Sequence, residues 1–143
     1  MNTVNQILFR KGNVIISVVT GTPVLDALKL MADNNIGSVV VNNEDGVYQG
    51  IVTERDYSRK VILQGKSSSE VTVEDIMLTD LPRLSLYDSI DHCMQLMSNK
   101  NIRYLPVFSE TELKGIISMS DVVKETILIQ QETITHLNEY INQ

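Results

Sequence analysis

Tryptophan is absent from this 143-residue chain, and aromatic residues make up only 5% of it. Apolar residues still reach 43%, so the interior they imply is aliphatic. That supply suits one compact domain, or two small ones sharing a core. A single cysteine, Cys93, excludes an intramolecular disulfide and a cysteine-cluster metal site. Positive charge is also short. Twelve Lys and Arg face 18 Asp and Glu, a formal net charge of −6. This balance opposes non-specific binding to nucleic acid or to an anionic membrane. No apolar run approaches the length of a membrane span. Residues 1 to 11 lack the apolar stretch of a signal peptide. The expectation is a soluble, cytoplasmic protein that engages neither nucleic acid nor membrane.

Catalytic signatures are equally scarce. His92 and His136 fall on predicted helices far apart in sequence. His92 and Cys93 are neighbours, so on a helix they point about 100° apart and form no dyad. Cys93 takes a core position equivalent to Ala27 and reads as a buried, inert thiol. There is no P-loop and no dinucleotide-binding glycine fingerprint. Ligands for a metal are lacking, and the six methionines fall mostly on apolar helix faces. The expectation is no enzyme, no metal and no catalytic cofactor.

What the chain does have is a duplication. Gly50-Ile51-Val52-Thr53-Glu54-Arg55-Asp56 returns as Gly115-Ile116-Ile117-Ser118-Met119-Ser120-Asp121. Each copy starts as a buried strand end. The hydroxyl residue then suits an N-cap, with Asp at the third helical position. Ser/Thr-x-x-Asp can be a plain capping box that needs no ligand. It can equally offer a hydroxyl, a carboxylate and free N–H groups to a phosphate and a sugar. Both copies have Asp, although a capping box works as well with Glu or Gln.

The surrounding pattern repeats too. A short amphipathic helix is expected over 2–11, ended by Gly12. Val14 to Val19 reads as a strand, and Thr22 and Pro23 as the cap and first position of a helix. Val24, Ala27, Leu28 and Met31 line one face of that helix, which closes at Asn34-Asn35. A strand at 38–41, an Asp-Gly turn and a returning strand at 47–52 lead into the first motif. Gln64 to Ser69 is a small, polar linker. Thr72 can cap a short helix holding Val73, Ile76 and Met77. Then Leu84 to Leu86, a cap at Asp88, and Ile90, Cys93, Met94 and Met97 restart the series. Asn101-Ile102 matches Asn35-Ile36 at an offset of 66, and Gly115 matches Gly50 at 65 (115 − 50). The expected fold is α/β (α+β), with two β-α-β-β-α repeats packed sheet to sheet about a pseudo-two-fold axis. Units of about 50 residues bury too little alone, and a cleft between similar units is a usual ligand site.

A final helix should run to about Ile141. Val123, Ile127, Gln130, Ile134, Leu137 and Ile141 form a heptad-like seam that outlasts the repeat. Packing against a second subunit is preferred over packing back on its own core.

These residues resemble a known family. The duplicated Gly-h-h-[Ser/Thr]-x-x-Asp motif, with Asn101-Ile102-Arg103-Tyr104-Leu105-Pro106-Val107, looks like a tandem pair of cystathionine-β-synthase (CBS) domains. Thr53-Glu54-Arg55-Asp56-Tyr57 and Ser120-Asp121-Val122-Val123-Lys124 look like the small stand-alone type of bacteria and mitochondria. The repeats would span 13–64 and 74–130, with a linker at 65–73 and the long helix over 121–142. The resemblance implies a non-catalytic regulatory module that binds an adenine nucleotide between the repeats: AMP first, with ATP, ADP or NAD as alternatives. It implies that Asp56 and Asp121 take ribose hydroxyls, and that Thr53, Ser118 and Arg103 meet phosphate. Ile36-Gly37-Ser38 and Ile102-Arg103-Tyr104 would contact the base through backbone. Arg55, Pro106 and Ser120 complete the candidate set. Gly37 stands where the second repeat has Arg103, and Tyr104 stands where His or Arg is frequent, so the two sites should differ. Arg55, Arg59 and Lys60 favour an anion beside the first motif; for Arg59 and Lys60 a solvated helix face is an equal reading. The resemblance further implies a homodimer acting on an unidentified protein partner. A structural docking scaffold with no physiological ligand is the alternative.

Overall fold

The computed structural model describes residues 2–12 and 14–142. It is a mixed α/β protein with two three-stranded sheets. In chain order come α1 (Val4–Lys11), β1 (Ser17–Val19), α2 (Val24–Asn34), β2 (Ser38–Asn42) and β3 (Tyr48–Thr53). A short α3 (Glu54–Tyr57) passes into a π-helical turn (Ser58–Ile62), and α4 (Val73–Ile76) comes next. The series then restarts with β4 (Leu84–Ser85), α5 (Ile90–Lys100), β5 (Tyr104–Ser109), β6 (Glu112–Ser118) and α6 (Met119–Ile141).

Both sheets have the same wiring. β1 pairs with β2 in parallel, and β2 with β3 antiparallel. β4, β5 and β6 repeat that order. Each hairpin carries a register shift at an equivalent place, Val41/Asn42 and Val107/Phe108. Asn35 and Asn101 both end their helix in the left-handed conformation, at φ 53° and 54°. Asn tolerates that region better than most residues, and each turn carries the chain from helix into the central strand.

The chain forms two compact units, and they are not consecutive halves. Val14–Leu81 makes one; α1 joins everything from Pro82 onward in the other. Each leading helix therefore packs on the repeat it does not directly precede. Val4, Ile7 and Leu8 of α1 share a core with Ile90, Cys93, Met97, Leu105 and Ile117. Val73 and Ile76 of α4 share one with Val24, Ala27, Met31 and Val52. Thr3 caps α1 as Thr72 caps α4, each in a reciprocal box. The offset is 69 (72 − 3), so the duplicated unit includes its leading helix. Two capping expectations need correction. Pro23, not Thr22, precedes the first turn of α2, and the Thr22 hydroxyl instead donates to the Val19 carbonyl. Ser89, not Asp88, caps α5; the Asp88 carboxylate accepts from Ser85 N–H.

α6 runs 23 residues. Val122 and Glu125 near its start are buried, whereas Val123, Ile127, Ile134, Leu137 and Ile141 are exposed. Among the described residues, no helix is long and apolar enough to cross a membrane.

Candidate functional site

Each glycine-led motif forms a strand-to-helix junction. Gly50 and Gly115 open it because another segment lies against them. A Cβ built on Gly50 would sit 2.5 Å from the Leu78 carbonyl oxygen, just past α4. One on Gly115 would sit 2.6 Å from Cδ2 of Leu8 in α1.

At both junctions the hydroxyl and the carboxylate form a capping box. Thr53 Oγ1 accepts from Asp56 N–H at 3.1 Å, and Asp56 Oδ2 accepts from Thr53 N–H at 3.1 Å and from its hydroxyl at 2.8 Å. Ser118 Oγ accepts from Asp121 N–H at 3.0 Å, and Asp121 Oδ2 accepts from Ser118 N–H at 2.9 Å. Neither box needs a ligand to satisfy these groups.

Pairing brings the strand-start candidates to the same place. Ser38 lies opposite Thr53, and Tyr104 opposite Ser118. The Gly37 carbonyl accepts from Glu54 N–H at 3.1 Å, and the Arg103 carbonyl accepts from Met119 N–H at 2.8 Å. Ile36, Gly37 and Ser38 thus adjoin Thr53, Arg55 and Asp56, while Ile102, Arg103 and Tyr104 adjoin Ser118, Ser120 and Asp121. Pro106 lies two residues further along β5, buried and opposite Ile116. The Arg103 side chain is exposed.

Both carboxylates also hold a lysine. Lys60 Nζ lies 3.4 Å from Asp56 Oδ1 and donates to the Ile76 carbonyl of α4 at 2.9 Å. The Lys60 side chain is 42% exposed, so it is a solvated cation paired with its own motif carboxylate. Lys11 Nζ, from α1, lies 2.8 Å from Asp121 Oδ2 and 2.7 Å from the Ile116 carbonyl. Burial by itself would raise the Asp121 pKa. The hydrogen bonds from Lys11 and Ser118, with the lysine charge, outweigh it and hold the carboxyl below its ordinary value. Beside this pair, Arg10 Nε donates to Glu125 Oε1 at 2.8 Å. Glu125 is only 3% exposed, and its Oε2 is buried without a hydrogen-bond partner. Sequence reasoning misses Lys11 and Arg10, because nothing in the local pattern assigns α1 to the second unit. Aligning Thr3–Leu8 with Thr72–Met77 would have marked α1 as part of the duplication, but not which core it joins. Lys60 was legible as an i, i+4 partner of Asp56.

Cys93 is buried, and desolvation, aided by the Asp88 charge, pushes its thiol up to about 11. Among the described residues, no group of three or more His, Cys, Asp or Glu side chains is placed to hold a metal.

Compared with known proteins, the CBS domain family matches residues 12–62 and 73–127. The chain belongs to the CBS domain family. It is 38% identical over 126 residues to a mitochondrial CBS domain-containing protein of Arabidopsis thaliana, covering 85% of this chain and 61% of that protein. It is 37% identical to a Methanopyrus kandleri protein, of which it spans 57%. These curated relatives are thus longer than the segment they share with it. Among solved structures, a CBS-domain protein of Agrobacterium tumefaciens is 34% identical with a TM-score of 0.83, over 87% of this chain and 99% of that one. A CBS-domain protein of Burkholderia ambifaria is 42% identical with a TM-score of 0.84, over 89% and 95%. CBS pairs are regulatory modules, and one of them, the pair of protein MJ0100, was crystallised with 5′-methylthioadenosine and S-adenosyl-L-methionine. That pair is 25% identical to this chain, with a TM-score of 0.77 over 88% of it and 96% of the other.

Proposed function

We propose that this CBS pair is a non-catalytic sensor of adenine nucleotides, with its ligand at the glycine-led junctions of the repeats. AMP is the first ligand proposed; ADP, ATP and NAD are the alternatives. Asp56 and Asp121 take the ribose hydroxyls, Thr53, Ser118 and Arg103 approach phosphate, and the backbone at Ile36–Ser38 and Ile102–Tyr104 meets the base. The observation that carries the reading is the duplicated junction itself. In each unit a carboxylate and a hydroxyl sit at the start of a helix, against the opening residues of a neighbouring strand. The adenosine-containing ligands of a structural neighbour support the ligand class. The module is proposed to act as a cytoplasmic homodimer that presents an occupancy-dependent surface to a protein partner in signal transduction. The exposed seam of α6 supports self-association.

A second reading has its own observation. Both capping boxes satisfy themselves, which suits a docking scaffold that keeps the fold without a ligand. A thermal-shift screen with AMP, ADP, ATP, NAD and S-adenosylmethionine separates the two. A ligand at 100 times its dissociation constant adds about 2.7 kcal/mol. Under the sensor reading, Asp121→Ala weakens binding about ten- to a hundredfold in calorimetric titration, and Asp56→Ala costs a weaker or second binding event. No shift with any of the five ligands would leave the scaffold standing.

A further inference from the structure

The two motif carboxylates carry lysines that are not equivalent in the repeat. Lys60 lies on the turn after its own motif, four residues beyond Asp56. The motifs are offset by 65 (121 − 56), so the counterpart of Lys60 is Glu125 (60 + 65). The second repeat thus has an acid where the first has its cation. That acid is buried, and Arg10 of α1 pairs with it at 2.8 Å. The next residue of the same helix, Lys11, takes over the role of Lys60 on Asp121 at 2.8 Å. One cluster sums to zero through Asp56 and Lys60. At the other motif Lys11 likewise cancels Asp121, while Arg10 faces both Glu125 and, at 3.6 Å, the exposed Glu132. Both lysines also donate to a backbone carbonyl, of Ile76 and of Ile116, which fixes where the ammonium stands.

Neutrality matters for what the site can accept. An unpaired aspartate beside a bound ribose would place a full negative charge close to any phosphate on that ribose. We propose that Lys11 and Lys60 set the ligand charge at the two motifs, cancelling each carboxylate so that phosphorylated nucleosides are accepted over unphosphorylated ones. This rests on the reading that Asp56 and Asp121 hold ribose. Asp121 Oδ2 is filled by the Ser118 N–H and Lys11, which leaves Oδ1 to meet a sugar hydroxyl while the ammonium stays in place. At Asp56 the cap fills Oδ2, and Lys60 stands 3.4 Å from Oδ1, longer than a hydrogen bond and open to an incoming hydroxyl.

The test is calorimetric titration of the full chain with AMP and with adenosine. A unit charge acting over roughly 7 Å in a partly solvated site changes affinity for a singly charged phosphate about tenfold. In the Lys11→Met/Lys60→Met double variant, the ratio of AMP to adenosine affinity should fall by at least that factor. In Lys11→Arg/Lys60→Arg it should stay within about twofold of wild type, since the charge is kept. Any general loosening of the fold affects both ligands alike, so the ratio isolates charge. An unchanged ratio in the Met variant overturns the assignment, as does an equal fall in the Arg variant. If wild type binds both ligands and only the ratio fails to move, the lysine assignment falls and the nucleotide reading survives. If wild type binds neither ligand, both fall together.

Discussion

Gly50→Ala and Gly115→Ala add one methyl at equivalent places in the two motifs, yet they should differ sharply in stability. At Gly50 the new Cβ would lie 2.5 Å from the Leu78 carbonyl oxygen. Carbon and oxygen normally approach to about 3.3 Å, so about 0.8 Å must be found. The obstacle is backbone. Leu78 is bridged to Ile51 by two hydrogen bonds, Ile51 N–H to Leu78 O at 3.1 Å and Leu78 N–H to Ile51 O at 2.9 Å. Moving that carbonyl weakens both bonds, each about 1 kcal/mol net. Overpacking against Met77, which the Cβ would also approach at 3.1 Å, adds about 1 kcal/mol. Reduced freedom of the unfolded chain returns about 0.5 kcal/mol. The expected loss is about 2.5 kcal/mol. At Gly115 the obstacle is Cδ2 of Leu8, the end of a rotatable side chain. Leu8 can adjust within the core, so the expected loss is below about 1 kcal/mol. Urea unfolding of wild type and both variants, tracked by far-UV circular dichroism, measures the difference. Equal losses, or a Gly50→Ala variant within about 0.5 kcal/mol of wild type, would refute the close approach of the 77–78 segment as the reason for the glycine.

Three further outcomes are expected. Because Asp121 has a depressed pKa in the folded state, it stabilises the fold above its unfolded value of about 3.9, and that stability is lost as pH falls through the lower folded value; Asp121→Asn should flatten this part of the acid-unfolding curve, and an unaltered curve would show the Lys11 pair to be without consequence. Arg10→Met should lower the melting midpoint by stranding the buried Glu125 carboxylate, and Glu125→Leu added to it should restore much of the loss, since an apolar replacement removes the unpaired charge; failure of the second substitution to help would mean that Arg10 acts by packing. Ile134→Glu with Leu137→Glu should weaken self-association in light scattering while leaving the melting midpoint of dilute protein unchanged, as both side chains are exposed on α6; a monomeric wild type at micromolar concentration would dismiss the seam.

The amino-acid sequence by itself determined the duplication, the element types and the two junctions. Those features rest on local rules. Alternation and helical spacing sort buried faces, Asn35 and Asn101 supply left-handed stops, and Thr53 and Ser118 cap the helices they precede. Helix caps were less legible at α2 and α5. At α5 Asp88 is drawn to Ser85 and leaves the end to Ser89, and at α2 the Thr22 hydroxyl turns back to Val19 and leaves Pro23 at the cap position. Only tertiary structure decided where α1 and α4 go. Each packs on a repeat it does not directly precede: Val4, Ile7 and Leu8 join the core of Ile90, Cys93 and Met97, and Val73 and Ile76 that of Val24, Ala27 and Met31. That long-range choice brings Lys11 to Asp121 across 110 residues. No local spacing encodes such a contact. The charge of the second motif therefore emerges from packing, whereas that of the first, through Asp56 and Lys60, is written within one turn of chain.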